Sequence, residues 1–169
     1  MTIEELLIIE ELRTLRQAYS AYYDTQDIDN LVELFTEDAV CEFGKNYGVW
    51  RGRQEIRANY LESFKAVGSS MDALHVITNP WIKLTGKNEA HGRCYLIDLL
   101  TRQKPVTGLA TPGGHGNPLL YLGIYEDDYR KVGDPWLISH TTLHFLWPER
   151  SFDGLRDACR PQDKLTSRR

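Results

Sequence analysis

Four side chains in this sequence carry groups suited to moving protons: Tyr19, Asp24, His75 and Asp98. A neutral imidazole accepts a proton near neutral pH, a carboxylate on its second nitrogen would fix the tautomer, and a phenol could donate to an oxygen that becomes negative. Brought together in an apolar cavity, they could take a proton from a carbon next to a carbonyl or a leaving group, giving an elimination without a metal. Each residue also has an ordinary structural reading. Asp24 could hydrogen-bond into the turn that follows it, and His75, in Ala73-Leu74-His75-Val76-Ile77, could be a satisfied core histidine. Asp98 interrupts the apolar run Tyr95-Leu96-Ile97-Asp98-Leu99-Leu100, either as a buried acid that must be neutralised or paired or as an edge residue facing solvent.

The elements that would position these groups follow from periodicity. Leu6, Ile9, Leu12, Leu15, Ala18, Tyr19, Tyr22 and Tyr23 keep the three-and-four spacing of one buried stripe, which predicts a long helix ending at Asp24. A carboxylate at the negative end of a helix loses a few tenths to about 1 kcal/mol unless a cationic group answers it, so such a partner is expected. Asp27 or Asp29 can cap a short second helix with Leu31, Val32, Leu34 and Phe35 on its apolar face and Thr36-Glu37-Asp38 as its exit. Residues 39–43 read as a short strand, Gly44-Lys45-Asn46 as a turn, and residues 47–50 as the return strand. A third helix is expected over 54–67, closed by Gly68-Ser69-Ser70.

From residue 71 the pattern changes to long strands, at 71–84, 89–101, 119–131 and 136–147. Alternation puts Met71, Ala73, His75, Ile77 and Asn79 on one face, so His75 looks into a cavity if that face lines one. Three helices followed by an antiparallel meander form an α+β layout, with helices on one face of a curved sheet. Strands of about twelve residues exceed the usual ~5–6 and can wrap around a pocket. Tyr47, Trp50, Tyr121 and Tyr125 could line an aromatic pocket for a ring substrate or simply fill core. Segment 102–118, with Pro105, Gly108, Pro112, Gly113, Gly114, Gly116 and Pro118, reads as a lid or an oligomer contact.

At 169 residues, 41% hydrophobic, the chain suits one domain over residues 1–150 followed by a polar tail, 151–169. A formal charge of −4, with basic residues clustered only in the tail at 164–169, argues against a nucleic-acid partner. Cys41, Cys94 and Cys159 lack any paired spacing and read as reduced thiols. Among the other histidines, His91, His115, His140 and His144, none sits at a metal-binding spacing; His140 and His144 share a strand face but lie some 13 Å apart at about 3.3 Å per residue. No metal and no cofactor are therefore expected. The acidic opening Met1-Thr2-Ile3-Glu4-Glu5 and the lack of an eighteen-residue apolar run lead to the expectation of a soluble cytoplasmic protein without a membrane partner.

A set of motifs then gains meaning together: Tyr19-x4-Asp24; Leu31-x2-Leu34-Phe35-x2-Asp38-Ala39-Val40; Gly52-x3-Ile56; His75-x3-Asn79-Pro80; Gly123-Ile124-Tyr125-Glu126-Asp127-Asp128-Tyr129-Arg130; and Trp136. Over roughly residues 5 to 147 the chain resembles the SnoaL-like branch of the nuclear-transport-factor-two-like superfamily, whose members include scytalone dehydratase, a dehydrochlorinase and bile-acid 7α-dehydratase. The resemblance implies a cone-shaped α+β barrel, its curved mixed, mostly antiparallel sheet packed against three N-terminal helices around a deep apolar pocket.

It further implies a His-Asp dyad of His75 and Asp24, with Tyr19 as the functional polar position and Asp98 on the cavity face. The substrate-recognition positions of relatives do not carry over, since they align with Leu100, Gly123, Tyr125 and Thr141. The implied function is a cofactor-independent lyase, dehydratase-like, acting on a polycyclic or aromatic small molecule, with Tyr47, Trp50, Asp98 and Tyr125 as substrate-binding residues. The alternatives are an isomerase or cyclase on the same dyad, or a noncatalytic ligand-binding or assembly module such as the small subunit of a ring-hydroxylating oxygenase. A homo-oligomer, dimer or trimer, is expected because an open curved sheet leaves an apolar face and strand edges to cover.

Overall fold

The computed structural model describes residues 1–101, 119–148 and 150. Segment 102–118 and the tail 151–169, for which roles were expected above, lie outside the described residues. Helix α1 (Ile3–Asp24) opens with a capping box, in which the Thr2 hydroxyl accepts from the Glu5 N–H at 3.1 Å and the Glu5 carboxylate accepts from the Thr2 N–H at 2.6 Å. Asp27 caps α2 (Ile28–Glu33) by accepting from the Asn30 N–H at 3.2 Å. Strand β1 (Phe35–Glu42), the four-residue helix α3 (Gly44–Tyr47), β2 (Val49–Arg51) and α4 (Gly52–Val67) follow. Four long strands complete the described chain: β3 (Ala73–Leu84), β4 (Glu89–Leu100), β5 (Leu119–Lys131) and β6 (Trp136–Trp147).

The six strands form one sheet in the order β2-β1-β6-β5-β4-β3. Only β1 and β6 run parallel, so the sheet is mixed and mostly antiparallel, as expected. The expected cone-shaped, curved sheet curls without closing, and among the described residues β2 and β3 are its two edges.

Two local expectations also change. Thr36, Glu37 and Asp38 belong to β1 rather than to a helix exit, because Phe35 is fully buried and pairs with Ile138, whose N–H already donates to Leu34 O at 2.8 Å. Tyr47 lies on α3, not on the return strand. Gly44 and Gly48, at φ +68° and +77°, let the chain coil there, and the Phe43 N–H donates to Gly48 O at 2.9 Å across the loop.

The core between helices and sheet is anchored by Leu12, Leu31, Phe35, Ile56 and Ile138, all at 0% exposure, and each such side chain contributes ~1.5–3 kcal/mol by burial. On α1 the buried face is Leu12, Leu15, Arg16, Tyr19, Ser20, Tyr23 and Asp24, while Leu6 is 48% exposed. The stripe thus starts later than its apolar residues suggest and takes in polar ones. The end of α1 is tied to the start of β3 and the end of α4, since the Met71 N–H donates to Asp24 O at 2.7 Å and the Gln26 amide donates to Gly68 O at 2.9 Å. Gln26 sits at φ +58° to make that turn.

Candidate active site

Asp24, the last residue of α1, is buried against β3. Its carboxylate accepts three hydrogen bonds from one residue, two from the His75 backbone N–H, at 3.0 Å to Oδ1 and 3.1 Å to Oδ2, and one from His75 Nδ1 at 2.8 Å. A carboxylate can only accept here, so Nδ1 carries a proton, and in the neutral imidazole Nε2 is the nitrogen with the lone pair. The helix end thereby gains the partner that its charge requires. Both side chains are almost fully enclosed. Tyr23, the residue just before Asp24, packs edge-on to the imidazole at 4.3 Å between ring centres and shares a 2.6 Å hydrogen bond with Ser63 Oγ, which fixes the ring that holds His75 in place.

His75 lines a cavity of about 300 Å³ together with Tyr19, Tyr60, Asp98, Tyr121 and Phe145. That volume is at the low end of the ~300–1,000 Å³ range of small-molecule sites. Asp98 pairs with His75 across the β3–β4 ladder, and its Oδ2 stands 3.8 Å from Nε2. Its Oδ1 is buried without a hydrogen-bond partner. Burial pushes the Asp98 carboxyl up to about 6; the neighbouring His75 opposes that shift and Asp24 adds to it. Asp98 is therefore a cavity residue, not an edge residue facing solvent.

The far wall of the cavity is aromatic. Tyr19 and Tyr60 share a 2.9 Å hydroxyl–hydroxyl hydrogen bond, and Tyr125 meets Tyr19 edge-on at 5.8 Å. Burial holds all three phenols well above the ordinary tyrosine range, so they stay protonated donors. Tyr23 lies between this group and His75, its ring centre 6.5 Å from that of Tyr19. At the mouth, Tyr47 is 40% exposed and shares a 2.6 Å hydrogen bond with Tyr121, while Trp50 is buried and donates its indole N–H to Tyr47 O at 2.8 Å. Tyr47, Trp50 and Tyr125 all line the cavity.

The departures from relatives also find places. Leu100 lines the cavity. Thr141 does not: fully buried, it donates to Asp127 Oδ1 at 2.6 Å beneath the tyrosines. His91 faces Asp128, His144 faces Glu126, and His140 faces Glu42 and Asp128, so these three histidines are partnered by carboxylates away from the cavity. Among the described residues no group of three His, Cys, Asp or Glu could hold a metal, and no helix is long and apolar enough to cross a membrane. Sequence reasoning missed Arg16, which is buried behind Tyr19 and Tyr125. A charged residue inside a helix reads as surface, and only its four-residue spacing from Leu12 and Ser20 signals the buried face.

Residues 4–142 match the profile of the SnoaL-like domain family. The chain belongs to that family. No curated protein matches the sequence. Solved structures share the fold of this SnoaL-like domain. An NTF2-like protein with a cystatin-like fold from Novosphingobium aromaticivorans is 18% identical, with a TM-score of 0.72 and 92% of each chain covered. A proposed scytalone dehydratase from the same organism is 21% identical at TM-score 0.69, covering 86% of this chain and 88% of that one. A Mycobacterium tuberculosis protein of unknown function, solved as a variant, is 25% identical at TM-score 0.68, with 89% and 80% covered. At family level, the SnoaL-like assignment supports an enzyme or ligand-binding role toward small hydrophobic molecules.

Proposed function

We propose that this SnoaL-like protein is a cofactor-independent lyase that removes water from a ring-containing hydroxy carbonyl compound. The observation that carries this reading is the placement of His75, with Asp24 bonded behind it at 2.8 Å and its free Nε2 facing Asp98 across 3.8 Å in an apolar cavity. Nε2 takes the proton from the carbon next to the carbonyl, and Asp24 stabilises the imidazolium that forms. The carbonyl oxygen becomes an enolate, to which Tyr19 donates. As the enolate collapses, the carbon–oxygen bond to the hydroxyl breaks, and the departing oxygen takes the proton of the neutral Asp98 carboxyl and leaves as water. Asp98 is then ionised beside a protonated His75, and transfer of that proton across the short gap between them restores both groups.

Each step uses a side chain already facing the cavity. The similarity in fold to a proposed scytalone dehydratase is consistent with this chemistry and adds no substrate. A panel of cyclic hydroxy ketones bearing aromatic or fused rings tests the proposal. Formation of the conjugated enone, with solvent deuterium entering recovered substrate at the carbon that loses its proton, is the expected result. A compound that binds in the cavity and only has its double bond moved would favour isomerisation on the same dyad. Ligands that bind with no turnover and no exchange would reduce the protein to a carrier.

A further inference from the structure

Beneath the tyrosine wall lies a charged group that the elimination scheme does not use. The Arg16 guanidinium is sandwiched between two rings, its central carbon 4.1 Å from the centre of Tyr19 and 3.6 Å from that of Tyr125. Among the described residues its ionic contact is Nε to Asp127 Oδ2 at 3.4 Å, the Cys94 thiol lies beside it, and no oxygen acceptor completes a hydrogen bond to its three nitrogens. Asp127 is engaged elsewhere, since Thr141 donates to Oδ1 at 2.6 Å and the Tyr129 hydroxyl donates to Oδ2 at 2.9 Å. An arginine kept for stability would be expected to use its five N–H donors; leaving them unpaired in a dry interior is costly.

We infer that Arg16 is a positioning residue that turns the Tyr19–Tyr60–Tyr125 wall into a subsite for an anionic oxygen, an enolate or phenolate carried by the ligand. A cation on the face of a phenol draws electron density from the ring and strengthens the O–H as a donor. In the interior this attraction is poorly screened. The three hydroxyls of Tyr19, Tyr60 and Tyr125 carry three hydrogens and Tyr19 bonds to both of the others, which leaves one hydrogen of the group to give to a ligand. The same direction appears in all three phenols, where Arg16 is among the influences that oppose the upward shift caused by burial. Arg16 itself does not line the cavity, so it acts only through the rings.

The inference rests on the proposed role of Tyr19 as donor to the ligand oxygen, and it can be tested without turnover. 2-Naphthol serves as the probe, because its ionised form absorbs at longer wavelength than the protein. The ionisation midpoint of bound naphthol is measured by absorbance titration in the wild type, Arg16→Met and Arg16→Lys. The inference predicts that Arg16→Met raises the midpoint by about one to two pH units, a ten- to hundredfold loss of bound naphtholate at fixed pH, with Lys in between. Affinity for the neutral form, measured at low pH, should hardly change. If orphaning Asp127 prevents Arg16→Met from folding, the double variant Arg16→Met/Asp127→Asn removes both charges and should show the same upward shift. An unchanged midpoint in a folded variant overturns the inference, as does an equal loss of neutral and ionised probe, which would mark Arg16 as purely structural. Neither result touches the dyad, whose test is turnover.

Discussion

His75 and Asp98 stand opposite each other in the β3–β4 ladder, with Nε2 3.8 Å from Oδ2 and no partner on the other Asp98 oxygen. Desolvation alone would keep this acid neutral, and the nearby imidazole pulls the other way; the balance leaves its midpoint at about 6. A carboxyl that titrates there can serve as acid and then as conjugate base within one cycle.

Asp98→Asn should therefore separate pH effects on activity from those on stability. Its folded pKa is raised, so its stabilising contribution is present below the ordinary carboxylate range and lost as pH rises through about 6. The Asn variant should match the wild type in thermal stability near pH ~4 and exceed it above neutrality, by at most roughly 2–3 kcal/mol. Turnover in the wild type should fall as pH rises through about 6, and this limb should vanish in the variant, which starts from a rate ~10²-fold or more lower. Melting curves and rate profiles over one pH series check both; a limb that persists in the variant assigns the acid elsewhere.

Asp24→Asn should unlock the imidazole. Nitrogen-15 NMR of His75 is expected to show Nδ1 protonated and Nε2 bare in the wild type, and a mixture of tautomers in the variant. Loss of the charged acceptor for the His75 N–H should also cost about 1–3 kcal/mol by denaturant titration. A tautomer that does not respond would mean that Asp24 does not orient the ring.

Gly123→Ala probes why a position with a polar side chain in relatives is bare here. A Cβ at residue 123 would lie 2.6 Å from Leu143 Cδ1 and 3.1 Å from His144 O. Leu143 lines the cavity, so the clash would push it inward. Destabilisation of about 1–3 kcal/mol is expected, along with weaker binding of ring ligands; calorimetry measures both, and a neutral substitution would show that Leu143 has room to move.

Association is the expected fate of the outer sheet face. Leu74, Val76, Ile97, Leu99, Leu122 and Leu146 alternate with cavity-facing neighbours and are half-buried or exposed, and β3 is an edge strand among the described residues. Light scattering at micromolar concentration should give the mass of a dimer or trimer, and a Val76→Asp variant should lower it. A monomeric wild type would remove this expectation and leave the cavity chemistry untouched.

Much of this fold is legible in the sequence because its long strands alternate and its turns are explicit; β5 and β6 run over the expected residues, 119–131 and 136–147. The pairing of Asp24 with His75 was legible from the family resemblance, because a carboxylate at the negative end of a helix calls for a partner without saying which residue supplies it. The start of β1 was hidden because Leu34 and Phe35 suit a helix face as well as a strand, and only pairing with Ile138 decides. Arg16 was hidden for a different reason, since nothing local distinguishes a guanidinium stacked between two rings from one in solvent. Whether the sheet closes depends on how β2 and β3 end up relative to each other, which no local pattern encodes.

The central claim is that His75 is the base and Asp24 its orienting partner. Turnover of a cyclic hydroxy ketone that the wild type dehydrates, measured for His75→Gln, Asp24→Asn and the double variant, tests it most directly. The account predicts severe loss of turnover, ~10²–10⁴-fold for His75→Gln, with the double variant close to the worse single one because the two residues act as one unit. Binding of the same compound should change far less, since burial in the cavity supplies most of it. Near-native turnover by His75→Gln would contradict the account and move the base to another cavity residue, with Asp98 the first to examine.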